Sequence, residues 1–133
     1  MAASSDYLEK KILDHVFKIA AFAQPDNIYI GLHTADPTDA GTGTEVSGTN
    51  YARVDASSSW AAADATAGTI TTNADITFAA AGSGGWGNVT HIGIWDASSA
   101  GNLLFHGILS ASKLVSESDI FQITSGNLTI TLA

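Results

Sequence analysis

The apolar positions of the first twenty residues recur at helical spacing. Leu8, Ile12, Leu13, Val16, Phe17 and Ala20 fall on one face, and Glu9, Lys10, Lys11, Asp14 and Lys18 on the other. Ser4, Ser5 and Asp6 are available as N-caps. Glu9 stands three residues after Asp6, as a capping box requires. Asp14 and Lys18 make an i,i+4 pair in the favourable order. A helix is predicted over residues 6–23, ending before Pro25. Its apolar stripe either covers one side of a β domain or makes the helix an arm that packs on a neighbouring subunit.

After Pro25 the period changes to two. Over residues 27–33, Ile28, Ile30 and Leu32 alternate with Tyr29, Gly31 and His33. Further strands are predicted over 51–56, over 68–72 and 75–79 around a Thr-Asn turn, over 89–95, and over 102–109. A closing hairpin is predicted from 120–124 and 127–132 across Ser125-Gly126. Eight or so strands at regular spacing after one helix predict a mainly β protein. The expected architecture is an antiparallel β-sandwich or jelly roll with one N-terminal amphipathic α-helix. Residues 1–25 form the helical arm and 26–133 the sandwich, one structural domain overall. No βαβ rhythm is present, so parallel pairing is not expected.

Residues 34–49 interrupt this pattern with a long polar loop containing Asp36-Pro37 and Asp39-Ala40-Gly41, two turn signals in sequence. A loop of this length in a compact domain usually has a function or is disordered. The acidic side chains of Asp36, Asp39 and Glu45 are spaced unlike an EF-hand. Turn formation by the aspartates and contact with a partner are the better readings. The middle of the loop is then expected to be removable without loss of folding.

Charge narrows the function. Thirteen acids against five bases give a net charge of −8, and from residue 19 onward the only bases are Arg53 and Lys113. Such a surface repels phosphate, which argues against binding nucleic acid. No apolar run reaches the ~20 residues of a membrane span, and no signal-peptide order opens the chain. The expectation is a soluble protein made in a cytoplasm. With no cysteine, thiolate metal sites and thiol catalysis are unavailable. Arg53, isolated among acids, is expected to pair with Glu45, Asp55 or an acid of a neighbouring subunit.

Other candidate chemistry is weak. Gly82-Ser83-Gly84-Gly85-Trp86-Gly87 has the lettering of a dinucleotide fingerprint, but a strand rather than a helix is predicted after it. Its glycines are read as shaping a loop in which Trp86 packs at a sandwich end or an interface. His33, His91 and His106 lie on separate predicted strands and have no helical pairing that would suit a metal. Nothing resembles a nucleophile elbow. No catalytic residue, cofactor or metal is expected.

Several segments together resemble a family of small tailed-bacteriophage virion proteins, labelled tail-fibre-like or head-decoration proteins. They are Leu32-His33-Thr34-Ala35-Asp36-Pro37, Glu45-Val46-Ser47-Gly48, Tyr51-Ala52-Arg53, Trp86-Gly87 and Gly101-Asn102-Leu103-Leu104-Phe105. The resemblance implies a non-enzymatic structural protein, made in the host bacterial cytoplasm and carried on the virion. The leading expectation is a capsid decoration, or cement, protein on the capsid surface. It would bind the major capsid protein as a dimer or trimer and touch neither nucleic acid nor membrane. The alternative is a tail or tail-fibre component, one that binds a receptor if Trp60, Trp86 and Trp95 are exposed on one sheet face. Asp36, Pro37, Asp39, Glu45, Tyr51, Arg53 and Trp86 are the expected protein-contact residues.

Overall fold

A computed structural model describes residues 2–132. The chain enters as strand β1 (Ala2–Ser4) and turns at Ser5 into helix α1 (Asp6–Val16). Ser5 is extended, and its hydroxyl accepts the Leu8 amide at 3.2 Å as an N-cap does. That hydroxyl also donates to the Leu103 carbonyl, and the Ser5 amide donates to the Leu104 carbonyl at 2.9 Å. The cap thus welds the helix to the sheet.

The helix is shorter than predicted. The backbone turns left-handed at Lys18 (φ 63°), with the Lys18 amide on the His15 carbonyl and the Ile19 amide on the Asp14 carbonyl. This is a Schellman stop. It is usually made by glycine, and a lysine in that place gave no warning in the sequence.

The remaining strands are β2 (Tyr29–His33), β3 (Val54–Asp55), β4 (Thr69–Thr71), β5 (Ile76–Thr77), β6 (Gly87–Trp95), β7 (Leu103–Val115), β8 (Gln122–Ile123) and β9 (Thr129–Thr131). Six of these join β1 in one curled sheet in the order β3-β2-β6-β7-β1-β9-β4, and β5 pairs with β8. The molecule is mainly β with one N-terminal helix, in keeping with a sandwich-like fold. Ala2–Ser4, not expected as a strand, lies between β7 and β9, antiparallel to the first and parallel to the second at Ala2 and Ile130.

The predicted closing hairpin does not form, and the two strands around the Thr-Asn turn part company as well. Strands β4 and β5 pair with β9 and β8 respectively, and β8 and β9 do not pair with each other. The Ser125-Gly126 turn is instead clamped across the molecule. The Gly126 amide donates to the Thr72 carbonyl and the Ser125 amide to the Asp75 carboxylate, both at 2.8 Å. These long-range bonds splay the flanking strands into separate sheets. The core between them holds Ile30, Leu32, Ile92, Ile94, Phe78, Trp86 and Phe121. Phe78 packs edge-on against Trp86 and Phe121.

Candidate contact loop and the polar layer beneath it

Strand β2 does not end freely at His33. The Thr34 amide donates to the Thr44 carbonyl at 3.0 Å, the Val46 amide donates to the Leu32 carbonyl at 2.9 Å, and Glu45 bridges to His33. Residues 44–46 therefore continue the sheet edge, and only residues 35–43 form the tip. The tip is built from its own turns. The Asp36 carboxylate accepts the Thr38 amide, and the Pro37 carbonyl accepts the amides of Thr42 and Gly43. Gly43 lies so close to the proline that a Cβ there would stand 2.1 Å from the Pro37 Cα, so no larger residue fits. Pro37 itself is fully buried.

Beneath the tip, the register places Gly31 opposite Gly93 and Gly93 opposite His106. This row of missing side chains makes a floor. A Cβ on Gly93 would stand 2.6 Å from the Trp95 Nε1 and 2.9 Å from the His33 Nε2. One on Gly31 would stand 2.9 Å from the Glu45 Oε1.

Polar side chains lie on this floor. Arg53 donates from Nε and Nη2 to the two oxygens of Glu45 at 2.8 Å each, a fork-on-fork pair. Its Nη1 donates to the carbonyls of Ala97 and Ala100, both at 2.8 Å. Its guanidinium carbon stands 3.9 Å from the centre of the Trp95 ring, and His33 stacks near-parallel to the same indole. Only 4% of the Arg53 side chain is exposed. Tyr51 donates to Glu45 and accepts the Leu32 amide, both at 2.8 Å, while its ring stacks on Phe78.

Burial shapes the ionisation of this layer. It pushes the Glu45 carboxyl up, but hydrogen bonds from Arg53 and Tyr51 and the guanidinium charge outweigh it and hold the group below its usual range. Burial drives the Tyr51 phenol well above its ordinary value. It lowers the His33 imidazole to about 4, against a partial opposing pull from Glu45. Both His33 nitrogens and the Trp95 indole nitrogen are buried without hydrogen-bond partners among the described residues.

A second lock holds the outer part of the loop. His106 on β7 presents Nε2 to Asp39 at 2.8 Å and Nδ1 to Asp36 at 3.2 Å. A neutral imidazole carries one N–H, so both contacts are hydrogen bonds only when the ring is protonated. The Thr38 amide holds the Asp36 carboxyl below its ordinary range. The Asp39 carbonyl also accepts the Asp6 amide at the start of α1, at 3.1 Å. The tip is thus tied to the sheet and to the helix at once, and residues 39–44 are not a removable insert.

The expected contact residues accordingly divide. Asp36 and Asp39 stand at the surface, with Ala35, Thr38, Ala40, Thr42 and Thr44 around them. Pro37, Arg53 and Trp86 turn their side chains into the chain, and Glu45 and Tyr51 are half-buried in the polar layer. The Trp86 indole donates to the Thr49 carbonyl at 2.9 Å, closing the loop from its far end. Strand β6 begins at Gly87, directly after the glycine-rich stretch. The three strand histidines do share a sheet face, His33 opposite His91 and His106 one row away. No group of three or more metal-ligating side chains forms among the described residues.

Two apolar surfaces are exposed, of which the sequence pointed to the first, through the reading of the helix as an arm, and not to the second. One is the end of α1, where Leu13, Val16, Phe17 and Ile19 face outward. The other is the far half of β7 and the segment after it, with Ile108, Leu114 and Ile120. Of the six apolar positions of the stripe, only Leu8, Ile12, Leu13 and Val16 fall within the eleven-residue helix, and Phe17 and Ala20 lie beyond it.

Compared with known families, residues 3–131 match the model described as Podophage GP4 fiber I protein gp80. No curated protein is significantly similar to the chain.

Proposed function

Because the chain belongs to the podophage GP4 fiber I protein gp80 family, we propose that it is a non-enzymatic structural component of a phage tail fibre, carried on the virion. The observation that carries this reading is the extent of the match, which takes in the main sheet except for Ala2 at the start of β1. Of the two locations expected from the sequence, the family description favours the fibre, and it lends nothing to capsid decoration.

The geometry supports a joining part rather than a carbohydrate reader. A sugar-binding face needs exposed aromatic rings. Here Trp86 and Trp95 are buried and Trp60 is partly buried against the core. What the molecule presents instead is a rigid acidic loop around Asp36 and Asp39, and apolar surfaces at two other places. These suit contact with protein.

The test is to image virions that carry an epitope tag on this protein. Gold label confined to the tail fibres is the expected result. Label distributed over the capsid shell would replace this reading with the decoration one.

A further inference from the structure

His106 meets two carboxylates of one loop with its two ring nitrogens. Only 10% of its side chain is exposed, against 54% for Asp36 and 58% for Asp39. The sheet therefore fixes the ring, while the carboxylates sit on residues that can swing into solvent.

Imidazole ordinarily gains and loses its proton between about pH 5 and 8. A protonated His106 donates to both carboxylates. A neutral one keeps a single N–H, and its bare nitrogen then faces a carboxylate that has only acceptors to offer. The two arms are unequal. Asp39 makes the 2.8 Å contact with Nε2, and its carbonyl is tied to the Asp6 amide as well. Asp36 makes the 3.2 Å contact with Nδ1 and otherwise accepts only the Thr38 amide of its own turn, among the described residues. A neutral ring thus retains its proton on Nε2 and turns its lone pair on Asp36.

The surrounding groups leave this choice to His106. His33 of β2 is buried and stays uncharged down to about 4. The Asp36 carboxyl is held below its ordinary range by the Thr38 amide, so it stays ionised. Glu45 is paired with Arg53. Asp6, at the start of α1, lines a small pocket with Asp39 and adds negative charge on that side. His91 of β6 is the other imidazole close enough to act on Asp36, and its Nδ1 lies 2.8 Å from the Thr90 hydroxyl.

We propose that His106 is a pH-operated clasp on the loop tip. The protonated ring closes Asp36 and Asp39 onto the sheet together. The neutral ring keeps Asp39 and lets the Asp36 turn open, so the exposed tip presents one more free carboxylate. The clasp belongs to the chain alone and does not rest on the fibre assignment.

NMR of the full chain tests it. Long-range nitrogen spectra of the imidazoles read the titration and the neutral tautomer of His106, which is expected to be Nε2–H. Solvent exchange of the Thr42 and Gly43 amides, both bonded to the Pro37 carbonyl, reads the tip. Corrected for the intrinsic pH dependence of exchange, their protection is expected to rise about threefold to fivefold as His106 takes up its proton, the scale of one partly exposed charged contact. Global stability falls on the same acidification through His33, so the rise at the tip has the opposite sign. Asp36→Asn, at an exposed position, offers an acceptor to the protonated ring and a donor to the neutral one. Protection in that variant is expected to stay high and level, and His91→Gln is expected to keep the wild-type rise. Protection that stays flat through the His106 titration would overturn the proposal. So would a neutral ring carrying its proton on Nδ1, a rise that survives in Asp36→Asn, or one that vanishes in His91→Gln.

Discussion

Between residues 34 and 53 the side chains are mostly polar, yet the loop's key groups reach partners within the chain. Between residues 13 and 19 they are mostly apolar, yet Leu13, Val16, Phe17 and Ile19 face outward. Composition alone would assign these roles the other way round. The difference lies in geometry. Arg53 can be buried because each of its three nitrogens has an acceptor and its plane lies against an indole. A charge so satisfied does not meet the desolvation penalty of an isolated one. The helix ridge has no such arrangement, because the Schellman stop at Lys18 ends the helix before the stripe can be used up on the sheet.

The comparison breaks most visibly at Arg53. Arg53→Ala leaves Glu45 half-buried without its cation and uncovers Trp95, and should cost about 3–4 kcal/mol. Urea unfolding followed by tryptophan fluorescence measures this. A loss below ~1 kcal/mol, the scale of an exposed pair, would mean that the layer is ordinary surface.

Acid should act almost as strongly on the same layer. His33 holds its imidazole near 4 in the folded protein, below the usual 6.5. The unfolded chain therefore takes up this proton first as the pH falls. The contribution is complete above about pH 6.5 and is lost on acidification toward 4, up to about 3 kcal/mol. Glu45, also depressed, loses its contribution lower still, in the same direction. His33→Phe should flatten the dependence between pH 6.5 and 4. An unchanged slope in that variant would move the effect to other groups.

Gly93→Ala is next. The added methyl would meet the two rings at 2.6 and 2.9 Å, and neither ring can step aside without disturbing Arg53. Overpacking of this kind costs about 2 kcal/mol. A melting temperature equal to that of the wild type would show the floor to be looser than described.

Phe17→Ser gives the smallest effect on stability. At 70% exposure the ring contributes little to the fold, and the change should stay within about 0.5 kcal/mol. A larger loss would place the ridge in the core and reverse the comparison.

The sequence made some of this legible. Alternation located β2, β6 and the first half of β7, and the Ser5 cap and the Glu45 partner of Arg53 were among the stated candidates. What it concealed was long-range or atypical. The 125–126 turn reads as a hairpin until Thr72 and Asp75 are seen to hold it. Lys18 takes a backbone conformation that glycine would have announced. The role of the facing Gly31 and Gly93 depends on strand register, which spacing along one strand does not give.

The central claim is that the chain itself, not a partner, fixes the loop. Hydrogen exchange on the protein diluted to single copies tests it directly, through the amides of Leu32, Thr34 and Val46, bonded to Tyr51, Thr44 and Leu32. These amides are expected to be protected at every dilution. Exchange at Thr34 and Val46 as fast as in an unstructured chain, with protection appearing only on association, would contradict the account.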